Sequence, residues 1–485
     1  MSDAQTARPQ IRVLTEEQTA QIHACSLDVL ASTGVRVDSE HARQAYARAT
    51  GTQAAEDHRV RIPGELVEWA LAATPSSIDV YDRRGAAAFR LGDGRTRFGI
   101  GVTALTYQDP DTDEVVPFRR AHMRAIVRLG DVLPEFDVVS TVGVVQDVPP
   151  ETSDLYATLE MVANTTKPLV LLVSDAARFP AVLDLAEHLC GDLAARPFVI
   201  PYLNPISPLV INGDTADKMR AAIDRGLPVV FSNYGMAGAT TPITPMGTLA
   251  LLNAELLAGL TLAQLMRGGT PVILGSLPAY MDMRSTGSYY DATSYVLNLA
   301  CAEMMARYQI PHCGTSGSGM GWGPDVITSG HQWINHLTSC VGKVGLAPFV
   351  GDSLGSKAIS PATVVYANEA IAGARRFALG FSMEGGDAAL HEIAGVGPGG
   401  NYLTTETTLR EFRTAYTRSE VLPSLTLEEW QAQGRPRAID QLRQHTRELL
   451  ARTKPPGDHD ELIARGEAFI QGENRHRRKG RGGSA

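Results

Sequence analysis

The sequence predicts an α/β protein built on a (β/α)8 barrel, the TIM-barrel architecture, with a helical cap before it and a helical extension after it. From about Arg97 onward, strand-like and helix-like patterns alternate eight times. The strand patterns are apolar on both faces, which is typical of parallel strands covered by helices. Eight such units are the number that closes a barrel. A doubly wound open sheet is the alternative, because a strand count from one sequence can be wrong by about one or two.

The eight predicted strands are short, rich in β-branched and aromatic residues, and bounded by Gly, Pro or polar residues. In chain order they read FGIGVTALTY, FDVVSTVGVV, PLVLLVSD, PFVIPYLN, LPVVFSNY, TPVILGSL, IPHCGTS and LAPFVGD. The segments between them have helical periodicity, from RRAHMRAIVRLGDVL after the first strand to SPATVVYANEAIAGARRFALG after the last.

The flanking segments divide the chain further. Residues 1–95 contain three helical patterns and a short strand pair, and we expect them to form an N-terminal helical cap. Residues 96–380 are the predicted barrel, and residues 381–470 are a C-terminal extension that we expect to pack on it. Residues 471–485 are basic and glycine-rich, which predicts a disordered tail.

The composition favours small molecules and proteins as partners. The chain has 485 residues, 44% of them hydrophobic, which is enough for one large core with appendages. Its formal net charge of -9 argues against general attraction to nucleic acid or to an anionic membrane, since both need a positive surface. We therefore expect no nucleic-acid partner and no membrane partner.

The N-terminal residues and the cysteines predict a cytoplasmic protein. MSDAQTARPQIRVLTEEQ lacks the apolar core of a signal peptide. The five cysteines are scattered without a CxxC pair, so neither a disulfide framework nor a zinc site is indicated. His331 and His336 lie five residues apart on one predicted helix, which is the wrong spacing for a shared metal ion. We therefore expect reduced thiols and no metal.

One predicted helix, residues 249–266, is apolar on nearly all sides. Asn253, Glu255, Thr261 and Gln264 interrupt it too often for a membrane span, so we interpret it as a buried helix. Burying an amide and a carboxylate is costly unless they have hydrogen-bond partners. Asn253 and Glu255 are therefore either an internal clamp or part of a pocket.

In a barrel of this kind, the working residues come from the loops that follow the strands. Aromatic side chains are frequent at these positions, and aromatic faces hold a quaternary ammonium group, which has no N–H to donate. The plainer interpretation is that large side chains simply line the barrel mouth. The predicted aromatic cage is Tyr107, Tyr202, Tyr234, Tyr280, Trp322 and Phe349. The other residues at strand ends are Gln146, Asp147, Asp175, Asn204, Asn233, Asp282, Arg284, His312 and Asp352.

Three further features leave alternatives open. Asp282 and Arg284 follow the sixth strand, where they either hold a substrate carboxylate or form a salt bridge that fixes the loop. The glycine-rich segment 311–324 lacks the Lys of a phosphate-binding loop, so we interpret it as a loop that lets another molecule approach closely. Lys343 and Lys357 lie near the eighth strand and allow a lysine-dependent lyase as a third class of function.

Five motifs carry a resemblance that spans nearly the whole chain. They are Gly238-Ala-Thr-Thr-Pro, Thr248-Leu, Asn253-Ala-Glu with Ala258-Gly and Gln264, Asp282-Met-Arg-Ser-Thr-Gly, and Glu392-Ile-Ala-Gly-Val-Gly-Pro-Gly-Gly-Asn-Tyr-Leu. Together they resemble the trimethylamine methyltransferase (MttB-type) family, whose members use corrinoid proteins. The resemblance implies a (β/α)8 barrel that moves a methyl group from a methylated amine to the Co(I) corrinoid of a separate small protein.

Two departures from that family favour its pyrrolysine-free branch. No residue here can be assigned to the pyrrolysine of the founding members. Thr405, Glu406 and Thr407 follow the glycine-rich motif, where we expect the family to be histidine-rich. The resemblance to this branch implies a quaternary amine as donor, such as glycine betaine or a related betaine. A trimethylamine-type donor, or a barrel that binds quaternary amines without turning them over, is the alternative.

The implied chemistry needs positioning more than acid or base catalysis. A quaternary ammonium already carries the charge that lets a neutral amine leave, so the site has to desolvate the cation and hold one methyl group toward cobalt. We expect Arg284 or His312 to take the carboxylate of a betaine, and Asn233 to touch the substrate. Glu255 either faces the cation or has a structural role, in which it holds neighbouring elements together as an internal clamp. Its depth along the helix favours the structural role. The corrinoid (cobalamin) belongs to the partner protein, this chain binds no cofactor itself, and we expect a homo-oligomer.

Overall fold

Eight parallel strands form a closed barrel. The structure is a computed structural model that describes residues 6–314, 319–416, 418–419 and 421–481. The strands are β1 (Arg97–Ile100), β2 (Val138–Ser140), β3 (Leu169–Leu171), β4 (Val199–Leu203), β5 (Val229–Ala237), β6 (Val272–Asp282), β7 (His312–Cys313) and β8 (Leu346–Val350). Each strand pairs with the next in the chain, and β8 pairs with β1. The predicted barrel is confirmed, and the open-sheet alternative is wrong because the two end strands meet.

A helix follows each strand and covers the outside of the barrel. The helices are α1 (Arg120–Val132), α2 (Ser153–Asn164), α3 (Phe179–Cys190), α4 (Gly213–Asp224), α5 (Pro245–Met266), α6 (Ala292–Tyr308), α7 (Val326–Val341) and α8 (Pro361–Leu379). Side-chain caps fix where some of them begin: Asp291 accepts from the Ser294 N–H at the start of α6, and Asp325 accepts from the Thr328 N–H at the start of α7. The strands are buried on both faces, as their unbroken apolar patterns predict.

A hairpin closes the amino end of the barrel. Its strands, Ile78–Tyr81 and Ala87–Leu91, pair antiparallel. The Tyr81 N–H donates to the carbonyl oxygen of Pro197, just before β4 begins. Hairpin side chains and inward-facing strand residues share one buried cluster, which includes Ile78, Val80, Leu91, Val138, Val170, Ile200, Val230 and Ile273. The barrel interior is therefore filled at this end, and the opposite end is left for a cavity.

Three N-terminal helices explain why α5 is apolar all round. Helices Glu16–Asp28, Glu40–Thr50 and Gly64–Ala73 pack on its outer face, while its inner face packs on β5 and β6. Helix α5 is the one helix of the described residues that is long and apolar enough to cross a membrane, but 83% of its most apolar window is buried inside the protein. Its composition therefore reflects burial by protein on every side.

Short additional strands lie at the two ends of the barrel. Val35–Val37 pairs with Arg59–Val60 and with Val210–Ile211. On the mouth, the loops after β1 and β8 share a small sheet made of Thr106–Gln108, Val115–Pro117, Asp352–Ser353 and Ala358–Ile359. Gly287–Tyr289 folds back on the end of β6. Thr6–Ala7 pairs antiparallel with Phe381–Ser382, directly after α8.

The C-terminal helices return to the barrel surface. After Gly386–Val396, Glu406–Glu411 and Leu427–Ala432, the helix Ala438–Arg452 packs on α8 and α1, and His459–Arg481 packs on α2 and α3. Arg83 donates to both carboxylate oxygens of Asp458 at 2.6 and 2.7 Å. The sequence predicts a disordered tail from residue 471, whereas the last helix continues to Arg481, since the Arg and Lys residues of this segment are good helix formers. Residues 482–485 lie outside the described part of the chain.

Candidate functional site

A cavity of about 310 Å³ opens at the carboxyl ends of the barrel strands. This is the end at which barrel enzymes place their reacting groups. The residues around it come from the ends of β4, β5, β6 and β8 and from the segments that follow β1, β3, β4, β6 and β8. They include Val102, Thr103, Leu172, Tyr202, Asn204, Tyr234, Leu277, Ser288, Tyr290, Phe349, Asp352, Gly355 and Ser356.

Four aromatic side chains line the cavity. Tyr202 meets Phe349 edge to face, with their ring centroids 4.9 Å apart. The Tyr202 hydroxyl donates to Ser232 Oγ at 2.7 Å, which fixes the ring at the end of β4. Tyr234 and Tyr290 hydrogen-bond to each other, and burial raises the pKa of Tyr290 well above its usual value. Burial raises the pKa of Tyr202 in the same way, so these phenols stay neutral and offer π-faces to a ligand.

Asp352 places a buried carboxyl group in the same cavity. Asp352 is only 3% exposed. Oδ2 accepts from Ser356 Oγ at 2.6 Å, whereas Oδ1 has no hydrogen-bond partner among the described residues. Burial raises the pKa of Asp352 to about 6, and the hydrogen bond from Ser356 opposes this shift. The described residues that line the cavity include no Lys, Arg or His. The site therefore combines π-faces with a negative group that lacks a counter-ion, which suits a cation.

The glycine-rich segment approaches this cavity from the side. The Gly355 N–H donates to Gly319 O at 2.7 Å, and the Leu354 N–H donates to Gly321 O at 2.8 Å. A Cβ on Gly319 would lie 2.4 Å from the Ser356 nitrogen, so only glycine allows this approach. Residues 315–318 of the predicted loop lie outside the described residues. The glycines that are described bring the loop after β7 against the Asp352 loop.

Three of the predicted cage residues, Tyr202, Tyr234 and Phe349, line the cavity. The other three lie elsewhere. Tyr107 belongs to the small mouth sheet and stacks on His122, with ring centroids 4.1 Å apart. Tyr280 is part of the pairing between β6 and Gly287–Tyr289. Trp322 is 69% exposed, and its carbonyl oxygen accepts from Gln108. Substrate contact by these three stays a prediction.

The predicted carboxylate partners also lie off the cavity wall. Asp282 accepts from the backbone N–H and hydroxyl of Ser285 and from the N–H of Arg284, so it organises a local turn, and Arg284 itself is exposed. His312 is buried in β7, and burial lowers its pKa to about 3. Its neutral imidazole offers a substrate carboxylate no charge. The lysines of the lyase alternative are exposed, and Lys343 precedes β8 at the amino end of the barrel, away from the cavity.

Asn233 and Glu255 form an internal clamp. Asn233 Nδ2 donates to Glu255 Oε2 at 2.8 Å, and its Oδ1 accepts from Ser276 Oγ at 2.8 Å. Glu255 also accepts from Ser207 Oγ and from the Leu209 N–H, both at 2.7 Å. The clamp joins β5, β6, α5 and the loop after β4. Burial raises the pKa of Glu255, while these three hydrogen bonds lower it.

Asn253 makes a second clamp on the outer side of α5. Its Nδ2 donates to Ser26 Oγ at 2.9 Å and to the Tyr308 hydroxyl at 3.0 Å. These bonds hold the N-terminal helix Glu16–Asp28 and the end of α6 against α5. Of the two roles that the sequence left open for Asn253 and Glu255, the hydrogen bonds show the clamp.

The predicted binding residues omit Tyr290, and they include Asp352 only as one of many residues at strand ends. Tyr290 follows the extra strand Gly287–Tyr289, which the eight-strand pattern does not reveal. Asp352 is among the strand-end residues, two positions after β8, but nothing in the sequence separates it from other strand-end acids such as Asp282. The signal that distinguishes Asp352 is burial without a basic partner, and burial of a loop residue depends on the tertiary structure.

Comparisons with known proteins agree with this architecture. The family model for trimethylamine methyltransferase (MTTB) matches residues 2–477. Trimethylamine methyltransferase MttB of Desulfitobacterium hafniense is 27% identical over 87% of this chain and 85% of its own length. Glycine betaine methyltransferase of the same species is 25% identical over 95% of this chain and 97% of its own length.

A solved structure shares the fold at low sequence identity. The monomethylamine methyltransferase MtmB of Methanosarcina barkeri superimposes with a TM-score of 0.52 and 10% identity, covering 91% of this chain and 88% of that one. At this identity the likeness concerns the fold alone. The family match rests on the sequence instead, since it extends over almost every residue from the N-terminal helices to the last helix. The chain therefore belongs to the trimethylamine methyltransferase (MTTB) family of methyltransferases.

Proposed function

We propose that this protein moves a methyl group from a quaternary amine, glycine betaine or a related betaine, to the Co(I) corrinoid of a partner protein. Family membership supports methyl transfer from a methylated amine, and one relative is a glycine betaine methyltransferase. The observation that carries the choice of donor is the cavity: four aromatic side chains line it together with Asp352, and no Lys, Arg or His is among its described lining residues.

A quaternary ammonium satisfies both parts of this cavity. Each aromatic face contributes roughly 0.5–2 kcal/mol of attraction to a cation, the larger value applying where water is excluded. The cation also supplies the countercharge that Asp352 lacks in the described structure. The methyl groups of the cation need no hydrogen bonds. They can therefore pack against Leu172, Leu277 and Phe349 without burying an unsatisfied polar group.

The chemistry then follows from position and charge. The methyl carbon passes to cobalt while its C–N bond breaks, and the bonding electron pair stays on nitrogen. A neutral tertiary amine leaves, so no proton has to be supplied and no general acid is required. The protein has to exclude water and turn one methyl group toward the open mouth, where the partner protein arrives. Neutral donors that line the cavity, Asn204 and Ser288, are the proposed partners of a betaine carboxylate.

The experiment uses purified protein with a reduced corrinoid protein and a panel of methylated amines. Glycine betaine and other betaines should convert the Co(I) absorbance spectrum to that of methyl-cobalt, with one demethylated amine formed per cobalt. Tetramethylammonium has the quaternary ammonium but no carboxylate. Comparing it with glycine betaine therefore separates recognition of the ammonium group from recognition of the carboxylate. Absence of methyl-cobalt with every donor would reject the proposal, and betaine binding without transfer would indicate a sensor.

A second donor is favoured by one feature of the site. Asp352 Oδ1 is unpartnered among the described residues and could accept the N–H of a trimethylammonium ion, which a quaternary amine lacks. One relative is a trimethylamine methyltransferase. The same donor panel decides between the two: faster conversion of trimethylamine than of any betaine would select the trimethylamine activity.

A further inference from the structure

A second pocket lies at the amino end of the barrel, where α6 ends and β7 has not yet begun. Its volume is about 580 Å³, and its walls come from the N-terminal helices Glu16–Asp28 and Gly64–Ala73, the residues after them, and the end of α6. All of its described lining residues except Leu71 and Ala72 have polar side chains. None of them lines the cavity at the barrel mouth, so the proposed methyl transfer does not account for this pocket.

A chain of hydrogen bonds runs from this pocket into the protein. Asn253 Nδ2 donates to the Tyr308 hydroxyl oxygen at 3.0 Å, and this oxygen lies 2.9 Å from His23 Nδ1. His23 Nε2 lies 2.8 Å from Glu68 Oε1. Because Asn253 Nδ2 can only donate, the phenol hydrogen of Tyr308 is available to His23 Nδ1, and the ring then donates to Glu68 as a neutral imidazole. Glu68 therefore has a hydrogen-bond donor but no cation among the described residues.

The same pocket contains a positive group that lacks an anion. Arg307 lines the pocket and is exposed, and it makes no ion pair or hydrogen bond with another described residue. Burial raises the pKa of the Tyr308 hydroxyl; among the smaller influences, Arg307 lowers this pKa and Glu68 raises it. Both charges thus act on one hydroxyl, yet they form no ion pair with each other. The pocket holds one positive and one negative group, and neither is neutralised.

Gln309 adds a neutral donor and acceptor to this pocket. It follows α6 directly and has a φ of 56°, in the left-handed region that glycine adopts more easily. Its side-chain amide lines the pocket and has no hydrogen-bond partner among the described residues. Leu71 and Ala72 supply a small apolar surface. The pocket therefore offers a guanidinium, an amide and a carboxylate beside a short apolar wall.

We propose that this pocket binds a small zwitterion, an amino acid, with its carboxylate on Arg307 and its ammonium on Glu68. A guanidinium holds a carboxylate through two parallel N–H bonds. The ammonium supplies Glu68 with the positive charge that a neutral His23 does not, and Glu68 Oε2 has no other donor among the described residues. Leu71 and Ala72 leave room only for a short carbon chain. A ligand with a single charge leaves one of the two side chains without a counter-ion, so it binds more weakly.

A ligand held at both ends also joins two parts of the protein. Glu68 belongs to the N-terminal helix Gly64–Ala73, whereas Arg307 belongs to the last turn of α6. The hydrogen bonds through His23 and Tyr308 already connect these helices to Asn253 of α5. Occupancy of the pocket should therefore stabilise the N-terminal helices against the barrel, because the ligand binds only the folded arrangement.

The test titrates the full-length protein with glycine, β-alanine and 4-aminobutyrate, in which the two charges lie progressively further apart. One of the three should bind at least about fivefold more tightly than acetate or methylammonium. Arg307→Gln and Glu68→Gln should each weaken this binding about fivefold in isothermal titration. Arg48→Gln and Glu65→Gln are the matched controls, because both residues are exposed on N-terminal helices and lie outside the pocket.

Two measurements separate this site from the methyl-transfer cavity and from misfolding. Asp352→Asn should bind the same amino acid with unchanged Kd, and hydrogen exchange of the wild type should show Gly64–Ala73 gaining protection when the ligand is added. No binding of any of the three amino acids, or acetate binding as tightly as the best of them, would overturn the proposal. Binding that is lost in Asp352→Asn and kept in Arg307→Gln would place the ligand in the mouth cavity and overturn it equally.

Discussion

Replacing Asp352 with asparagine isolates the charge in the cavity from its shape. Asparagine has nearly the same size, and its amide oxygen can still accept from Ser356. The substitution removes the negative charge that shares the cavity with the four aromatic side chains. If a quaternary ammonium binds there, affinity must fall. If the ligand is neutral or anionic, affinity must stay or rise.

The size of the effect follows from Coulomb's law. At about 5 Å and an effective dielectric constant of about 20, a carboxylate attracts a cation by about 3 kcal/mol. This corresponds to a loss of roughly 100-fold in Kd for glycine betaine when the charge is removed. Because the pKa of Asp352 is about 6, the wild-type Kd should also weaken as the pH falls through 6. The Asp352→Asn variant should show no such dependence.

The same substitution should stabilise the unliganded protein. The folded pKa of Asp352 is raised to about 6 by burial, so its charged form is unfavourable in the folded state. A shift of about two pKa units corresponds to about 3 kcal/mol of lost folding stability. This loss is complete above pH 6 and is absent below the unfolded pKa of about 4. Asp352→Asn should therefore raise the free energy of unfolding at about pH 7.5 by up to this amount, and the gain should disappear near pH 4.

Isothermal titration with glycine betaine at about pH 7.5 and 5.5 measures the binding effect, and urea unfolding at the same values measures the stability effect. Asp282→Asn is the control, because Asp282 closes an exposed turn away from the cavity. Wild-type affinity in Asp352→Asn at about pH 7.5 would refute the assignment of the cation to this cavity. A large loss in Asp282→Asn would move the site to the loop after β6.

Four further substitutions, of which Trp322→Ala is a control, test other parts of the account. Tyr234→Ala should weaken betaine binding about tenfold by titration calorimetry, since one aromatic face is removed, whereas Trp322→Ala should change it little; equal effects would contradict the observed cavity. Glu255→Ala should lower the free energy of unfolding by about 3 kcal/mol in urea, because three donors lose their buried acceptor; a neutral result would contradict the clamp. Gly259→Ala would place a Cβ 2.1 Å from the Phe231 ring, so unfolding should show a loss of roughly 1–3 kcal/mol; unchanged stability would show that α5 can shift.

The barrel could be predicted because its sequence signals are local and repeated. An apolar run such as PLVLLVSD can be recognised as a buried strand without knowing its neighbours, and the helix after it has its own period. The clamp on α5 was foreseeable for a similar reason, since a carboxylate such as Glu255 in an apolar helix must find partners. Which partners it finds, Ser207, Leu209 and Asn233, depends on contacts distant in the chain.

The cavity could be predicted only in part, because position after a strand does not determine direction. Tyr202 and Phe349 end barrel strands and point into the mouth, whereas Tyr107 is drawn into a second sheet that joins two loops. Tyr290 is brought in by a strand that folds back on β6. The exposure of Leu403 could not be predicted, because exposure is a property of the fold and the sequence shows only an apolar residue in a glycine-rich region.

The position of a bound betaine tests the central claim most directly. A crystal structure with glycine betaine should show the ammonium nitrogen within about 6 Å of the ring centroids of Tyr202, Tyr234, Tyr290 and Phe349. Asp352 should lie opposite, and one methyl group should point to the open mouth. A betaine bound beside Tyr280 and Arg284, with this cavity empty, would contradict the account.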